Sequence, residues 1–365
     1  MTTRTKDGDS LENDSKQPKR KSKKLAPLGI LFALVGLLLF AYFVRNAGVL
    51  KILDGIKRLG AGFLLILAIS AVRHVVRSLA WTKCFEEPYR LRFRDAFAAR
   101  LMGDALGNII PFVSMAVAEP SKAMFVRHRV PLIVGLSAIA LENIFYSFSV
   151  VLFIFSGTVA LMLSFPLPPA LRYASIAALV ITAAFVPVIY LIITKQWRFL
   201  SGALAFFGAR KFAKSRVEKV LPRARIMEDR IYGFYQRNRR LLIPIFALEV
   251  CFHLAGVLEI YTTLSFISDV IAPTLLAAFI LESVNRIINV VFKFIPFRLG
   301  VDEGGSGIVS KILGLTRPVG VTLAIVRKAR DLFWTAVGVV LMIRRGLSPV
   351  TALTEEGPPV EDAAS

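Results

Sequence analysis

Arginines, carboxylates and asparagines recur at helical intervals inside stretches that are otherwise apolar. Arg100, Asp104 and Asn108 stand four apart, and Glu282, Arg286, Asn289 and Lys293 follow the same kind of spacing. On a helix each set forms one polar stripe. Such side chains are expensive in hydrocarbon, so both stripes must face protein or water. Each stripe mixes signs and can neutralise much of its own charge. One reading is a buried ion-pair network that joins helices. The other is a polar path for a headgroup that must cross a hydrocarbon layer. The two are compatible, and arginine suits a phosphate because its planar fork donates bidentately.

Other residues extend these stripes. After Pro296 the chain reads Phe-Arg-Leu-Gly-Val-Asp-Glu-Gly-Gly. Pro296 stops a helix, Gly300, Gly304 and Gly305 permit a tight return, and a new helix is expected to begin near Gly304. Asp302 and Glu303 would cap it, or Glu303 would hold a cationic headgroup or a coupling proton. Pro111 marks a similar break after the first stripe, with Glu119 beyond it. Arg327, Arg330 and Asp331 share a face of the last apolar block. Arg73 lies deep in an earlier one, and Arg77 sits near its end, where snorkelling would suffice. Glu249 and His253 share a face, Glu259 lies further along, and the histidine reads first as a helix–helix hydrogen bond. Glu142 and Asn143 add to an interior lined by arginines and carboxylates.

Nothing points to metal or cofactor chemistry. Cys84 and Cys251 form no CxxC pair, and His74, His128 and His253 lack zinc-type spacing. There is no P-loop, GxSxG, HExxH or dinucleotide fingerprint.

The elements that must position these residues are membrane helices. Of 365 residues 55% are hydrophobic, and they occur in blocks of spanning length. The net charge of +21 would favour nucleic acid in a soluble protein. Here it fits cationic loops held beside anionic headgroups, and no nucleic-acid partner is expected. Residues 1–24 read as a disordered basic cytoplasmic tail, 25–345 as a membrane domain, and 346–365 as an acidic disordered tail. The expected spans are Leu25–Val44, Ala61–Thr82, Val130–Ser156, Leu171–Thr194, Leu241–Phe266 and Val319–Ile343. The charged blocks Ala96–Val117 and Ala272–Ile295 are expected to be re-entrant hairpins. Full crossings there would export the basic segment 195–240, against the positive-inside rule. With hairpins, that segment and both termini are cytoplasmic, as in a multi-pass protein of a bacterial inner membrane. Segment 195–240 then lies on anionic lipid. The fold class is thus all-α polytopic, about six spans plus two hairpins.

An internal repeat is visible. A shift of 185 positions lays Ile110-Pro111-Phe112 on Ile295-Pro296-Phe297 and Arg100 on Asn285, and one gap brings Glu119 to Glu303. Halves of about 25–156 and 171–343 with three crossings each require the second copy to be inverted, a plan that recurs in transporters.

The stretch Pro296–Gly305, then Leu313-Gly314-Leu315 and Arg327-Lys328-Ala329-Arg330-Asp331, resembles the hallmark of the lysylphosphatidylglycerol synthase transmembrane-region family. So does Asn108-Ile109-Ile110-Pro111 followed by Glu119-Pro120. His253, Glu259 and Glu282-Ser283 are closer to its hopanoid-biosynthesis-associated branch. Val113–Ala118 departs from the family, which has glycines there. The resemblance implies lipid translocation, with the aminoacyl-transferring domain of the two-domain synthases missing. The expected partners are membrane lipids and a lipid-synthesising enzyme. A lipid-binding scaffold and a membrane-embedded transferase are the competing expectations.

Overall fold

The computed structural model describes residues 49–109, 114–195, 214–268, 272–293 and 298–345, with positions 42, 45, 198, 201–203, 206 and 295 between them. The expected tails, most of the first span, and Pro111 and Pro296 lie outside the described residues. Eleven helices are described: α1 (Val49–Leu59), α2 (Gly62–Lys83), α3 (Phe93–Ile109), α4 (Ser114–Phe125), α5 (Leu132–Ser164), α6 (Pro169–Lys195), α7 (Lys214–Arg237), α8 (Arg239–Ile267), α9 (Leu275–Val291), α10 (Val301–Ile312) and α11 (Arg317–Arg344). No strand occurs among the described residues. The chain is an all-α polytopic membrane protein.

Four expected spans are helices long and apolar enough to cross a bilayer: α2, α5, α8 and the Pro169–Val188 part of α6. The block expected to end at Ser156 runs on as helix to Ser164, because nothing from Gly157 onward breaks it before the Pro166-to-Pro169 region. The last expected span is one helix, α11, and it carries Arg327, Lys328, Arg330 and Asp331 in its middle. Arg327, Lys328 and Arg330 are buried, while Leu332, Phe333, Val340 and Ile343 of the same helix are exposed.

Each charged block belongs to a pair of helices, α3 with α4 and α9 with α10, and α10 lies beyond the expected end of the second block at Ile295. Within each, the two helices lie antiparallel against one another. A methyl group on Gly103 would collide with Lys122, and one on Gly305 with Ile288. The hairpins match in size. A shift of 182 positions carries α3 onto α9, and a shift of 187 carries α4 onto α10. A single ungapped shift of 185 is therefore out of register on both sides of the break. The reason is that the second turn, between Val291 and Val301, is five residues longer than the first, between Ile109 and Ser114. In the corrected register Arg100 matches Glu282, Asp104 matches Arg286, and Glu119 matches Ser306 rather than Glu303.

The packing repeats as well. The first helix of each hairpin lies against the last long helix of the opposite half, α3 on α11 and α9 on α5. A glycine makes each approach possible. A Cβ on Gly338 would sit 2.3 Å from the Leu101 carbonyl oxygen, and one on Gly157 would sit 2.2 Å from Ser283 Cβ. Leu101 and Ser283 are again 182 apart. The equivalent helices α2 and α8 run antiparallel: Gly62 meets Phe266, Arg73 meets Glu259, and Arg77 meets Glu249. Parallel repeats would place such a pair parallel, so this is an inverted repeat.

Two apolar cores seat the hairpins. One holds Trp81, Met102, Leu106, Phe125 and Ile139 around the first. The other holds Ile66, Ile260, Ala278, Ile280 and Leu323 around the second. Helix α7 comes from the basic segment. It packs on α5 and buries Ala224 and Phe234, the latter inside the first core.

Candidate functional site

A cavity of about 330 Å³ opens where α2, α3, α9 and α11 meet, with Lys293, Ile295 and Arg298 of the second hairpin's turn contributing. Eight arginines and lysines reach its wall but only four carboxylates do, namely Asp104, Glu119, Asp302 and Asp331. The remaining compensating carboxylates stand behind the arginines. Glu142, Glu249, Glu259, Glu282 and Glu303 are all essentially without solvent exposure. The cavity face is therefore cationic, although the surrounding protein is nearly balanced.

The first hairpin supplies a compact set. Asp104 Oδ1 lies 2.8 Å from Lys122 Nζ, and Lys122 also meets Glu119 at 2.8 Å. Glu119 accepts a second bond from Asn143 Nδ2 at 2.9 Å. Asn108 donates to Thr335 on α11 at 2.8 Å. Arg100 donates to Glu142 at 3.0 Å and to the Arg77 carbonyl at 3.1 Å.

The second hairpin reaches farther. Arg286 bonds Glu282 one turn back on α9, and Glu282 also lies 3.5 Å from Arg73. Asn289 donates to the Asn285 carbonyl, and Lys293 stands at the cavity wall. Gly300 has φ of 79°, a region glycine enters freely, and this turn launches α10 at Val301 rather than near Gly304. Gly304 and Gly305 consequently fall inside the helix. Glu303 Oε2 accepts from the Gly300 N–H at 2.7 Å, and its other oxygen meets Lys328 at 2.6 Å. Asp302 faces Lys328 at 3.5 Å and Arg298 at 3.7 Å.

Two carboxylates hold the framework together. Glu259 accepts from Arg73 at 2.9 Å and from Arg330. Glu142 accepts from Arg77 at 2.8 Å and from Arg100. Arg330 also clasps Asp331 through Nε and Nη2.

Most of the expected residues converge. Arg73, Arg100, Asp104, Asn108, Glu119, Arg286, Asn289, Lys293, Asp302, Arg327, Arg330 and Asp331 all border the cavity. Glu249, His253, Glu282 and Glu303 stand behind it. His253 lies 3.1 Å from the Ser149 hydroxyl and stacks on Phe153, so it joins α8 to α5. Arg77 corrects the sequence reading. It does not snorkel but stands part-buried at the cavity, with its guanidinium 3.9 Å from the Tyr146 ring. Its spacing of four from Arg73 was the available signal. His74, Arg298 and Trp334 also border the cavity, and none belonged to a recognisable stripe.

The family model described as the lysylphosphatidylglycerol synthase TM region matches residues 28–338. The chain belongs to that family. The match takes in every helix described above except the last turns of α11, and so spans both hairpins and the whole cavity. No curated protein and no solved structure matches the chain. Membership places it among membrane proteins of lipid metabolism or transport. Among the described residues no cluster of histidine, cysteine and carboxylate has the make-up of a metal site.

Proposed function

We propose that this protein moves a lipid with an anionic headgroup across the membrane and leaves it chemically unchanged. The observation that carries the reading is the cationic cavity between two oppositely oriented hairpins. A charged headgroup crossing hydrocarbon needs counter-charge and hydrogen bonds along its route. Arginines provide both, and here they are held in place by carboxylates on the far side from the cavity. The volume suits a headgroup-sized ligand. Acyl chains would remain in the bilayer. Inverted repeats with broken helices supply the two equivalent arrangements that alternating access needs.

The test is leaflet exchange in proteoliposomes carrying a fluorescent phosphatidylglycerol, with an impermeant quencher reporting the outer leaflet. Protein-dependent loss of the protected fraction is expected. It should fall sharply in Arg73→Gln and should not occur with a fluorescent diacylglycerol. A parent protein that moves no lipid from a broad headgroup panel would defeat the proposal and leave a lipid-binding scaffold as the better account.

A further inference from the structure

Arg327 differs from the other arginines of the cavity. Arg73, Arg77, Arg100, Arg286, Arg298 and Arg330 each have a carboxylate within ion-pair distance. Arg327 has none among the described residues. Its side chain is 4% exposed, and one nitrogen donates to the Ser306 hydroxyl. Nε and Nη1 are buried without any partner. Arg286 leaves its Nε unpartnered nearby on the same cavity wall. Glu282, the carboxylate on that side of α9, is already paired with Arg286 and lies 3.5 Å from Arg73.

A buried guanidinium without a counter-ion is a liability for folding, since its desolvation is not offset. Neighbouring groups offer no remedy. The N-terminus of α10, which would attract an anion, is already occupied by Glu303. Ser306 contributes a hydroxyl and no charge. We infer that Arg327, with Arg286 beside it, is the phosphate-binding point of the cavity, and that the bound oxyanion is the missing counter-ion. Arg330 is the less suitable residue because Glu259 and Asp331 already take up its fork. This assignment rests on the proposed function for its source of phosphate, a lipid headgroup. The same chemistry would also hold a free phosphate or a small phosphate ester.

Thermal unfolding of the full-length protein in detergent separates these cases. The probes are dioctanoyl phosphatidylglycerol, inorganic phosphate and dioctanoylglycerol. The variants are Arg327→Met and Arg330→Met. Without ligand, Arg327→Met should unfold at or above the parental temperature, because it removes an uncompensated charge. Arg330→Met should unfold lower, because Glu259 and Asp331 each lose a charged partner and keep only Arg73 and Arg298 respectively. Phosphatidylglycerol should raise the parental midpoint and dioctanoylglycerol should not. In Arg327→Met the affinity should drop by about tenfold or more, the ratio that accompanies lost charged hydrogen bonds. A shift with phosphatidylglycerol alone identifies the headgroup as the ligand, and an equal shift with inorganic phosphate identifies a soluble one. The assignment is overturned if Arg327→Met binds as tightly as the parent, or if it unfolds as low as Arg330→Met. Lipid exchange at the parental rate in Arg327→Met removes the subsite and leaves transport standing. Phosphate binding through Arg327 in a protein that moves no lipid does the reverse.

Discussion

The two hairpins share a backbone plan and differ in where their charges go. Each pairs a helix of 17 residues with one of 12. In the first, Asp104 and Glu119 both pair with Lys122 inside the hairpin, while Arg100 reaches Glu142 on α5. In the second, Glu282, Arg298, Asp302 and Glu303 reach Arg73, Asp331 and Lys328 on α2 and α11. Signs are exchanged at matched positions, Arg100 for Glu282 and Asp104 for Arg286. Duplication therefore preserves the fold-back geometry, while the ionic wiring is free to change. A stripe needs only some partner on the facing helix, and an arginine here can be served by a glutamate there.

The difference can be broken at its two central carboxylates. Arg100 has Glu142 as its carboxylate and no second one among the described residues, whereas Arg77 has Glu249 at 3.7 Å in reserve. Around Glu259 both arginines are insured, Arg73 by Glu282 and Arg330 by Asp331. Glu142→Gln should therefore cost about 3–5 kcal/mol, the range for stranding a buried charge. Glu259→Gln should cost less, about 1.5–3 kcal/mol for charged hydrogen bonds lost with a substitute at hand. Denaturation of the purified variants in detergent gives both values, and a larger loss at Glu259 would contradict the wiring described.

Next in size are the two glycines that let the halves interlock. Gly157→Ala and Gly338→Ala each force a helix pair apart, at about 1–3 kcal/mol for overpacking. The obstacle differs, a side chain at Ser283 and a backbone carbonyl at Leu101. Ser283→Gly should accordingly rescue Gly157→Ala, while no substitution at Leu101 should rescue Gly338→Ala. Thermal midpoints of the single and paired variants check this. A rescue at Leu101 would mean that the contacts are not equivalent.

Much of this arrangement was legible in the residues. Block lengths located four of the six expected spans, and the cost of Arg100, Asp104, Glu282 and Arg286 in lipid singled out the two hairpins. Register was harder to read. The Ile-Pro-Phe match falls between helices that are separated by different numbers of residues, so aligning on it displaced the stripes that flank it. Which side of a stripe faces the cavity was also out of reach. Glu119 and Glu303 both follow a proline break, yet Glu119 borders the cavity and Glu303 is sealed behind it, because α10 begins three residues before Gly304. Arg77 was misplaced because position along a span says nothing about which neighbours surround it.

The smallest expected effect concerns Glu303, and it bears on what the second hairpin's wiring is for. Its carboxylate accepts from the Gly300 N–H and faces Lys328, and no atom of it reaches the cavity wall. Both contacts hold the start of α10 in place. Glu303→Gln retains a carbonyl oxygen that can still accept from Gly300, while Lys328 keeps Asp302 at 3.5 Å. The loss should be about 0.5–2 kcal/mol, as for an altered helix cap, and leaflet exchange should continue near the parental rate in protein that remains monodisperse. Restoring the lost stability, by lower temperature or by added phosphatidylglycerol, should then erase any residual difference in rate. If exchange instead stops in folded Glu303→Gln, the carboxylate must act on the moving headgroup or carry a proton. The ties from the second hairpin to α11 would then break and re-form during transport, and the first hairpin, whose Lys122 pairs stay within it, would be the fixed member of the pair.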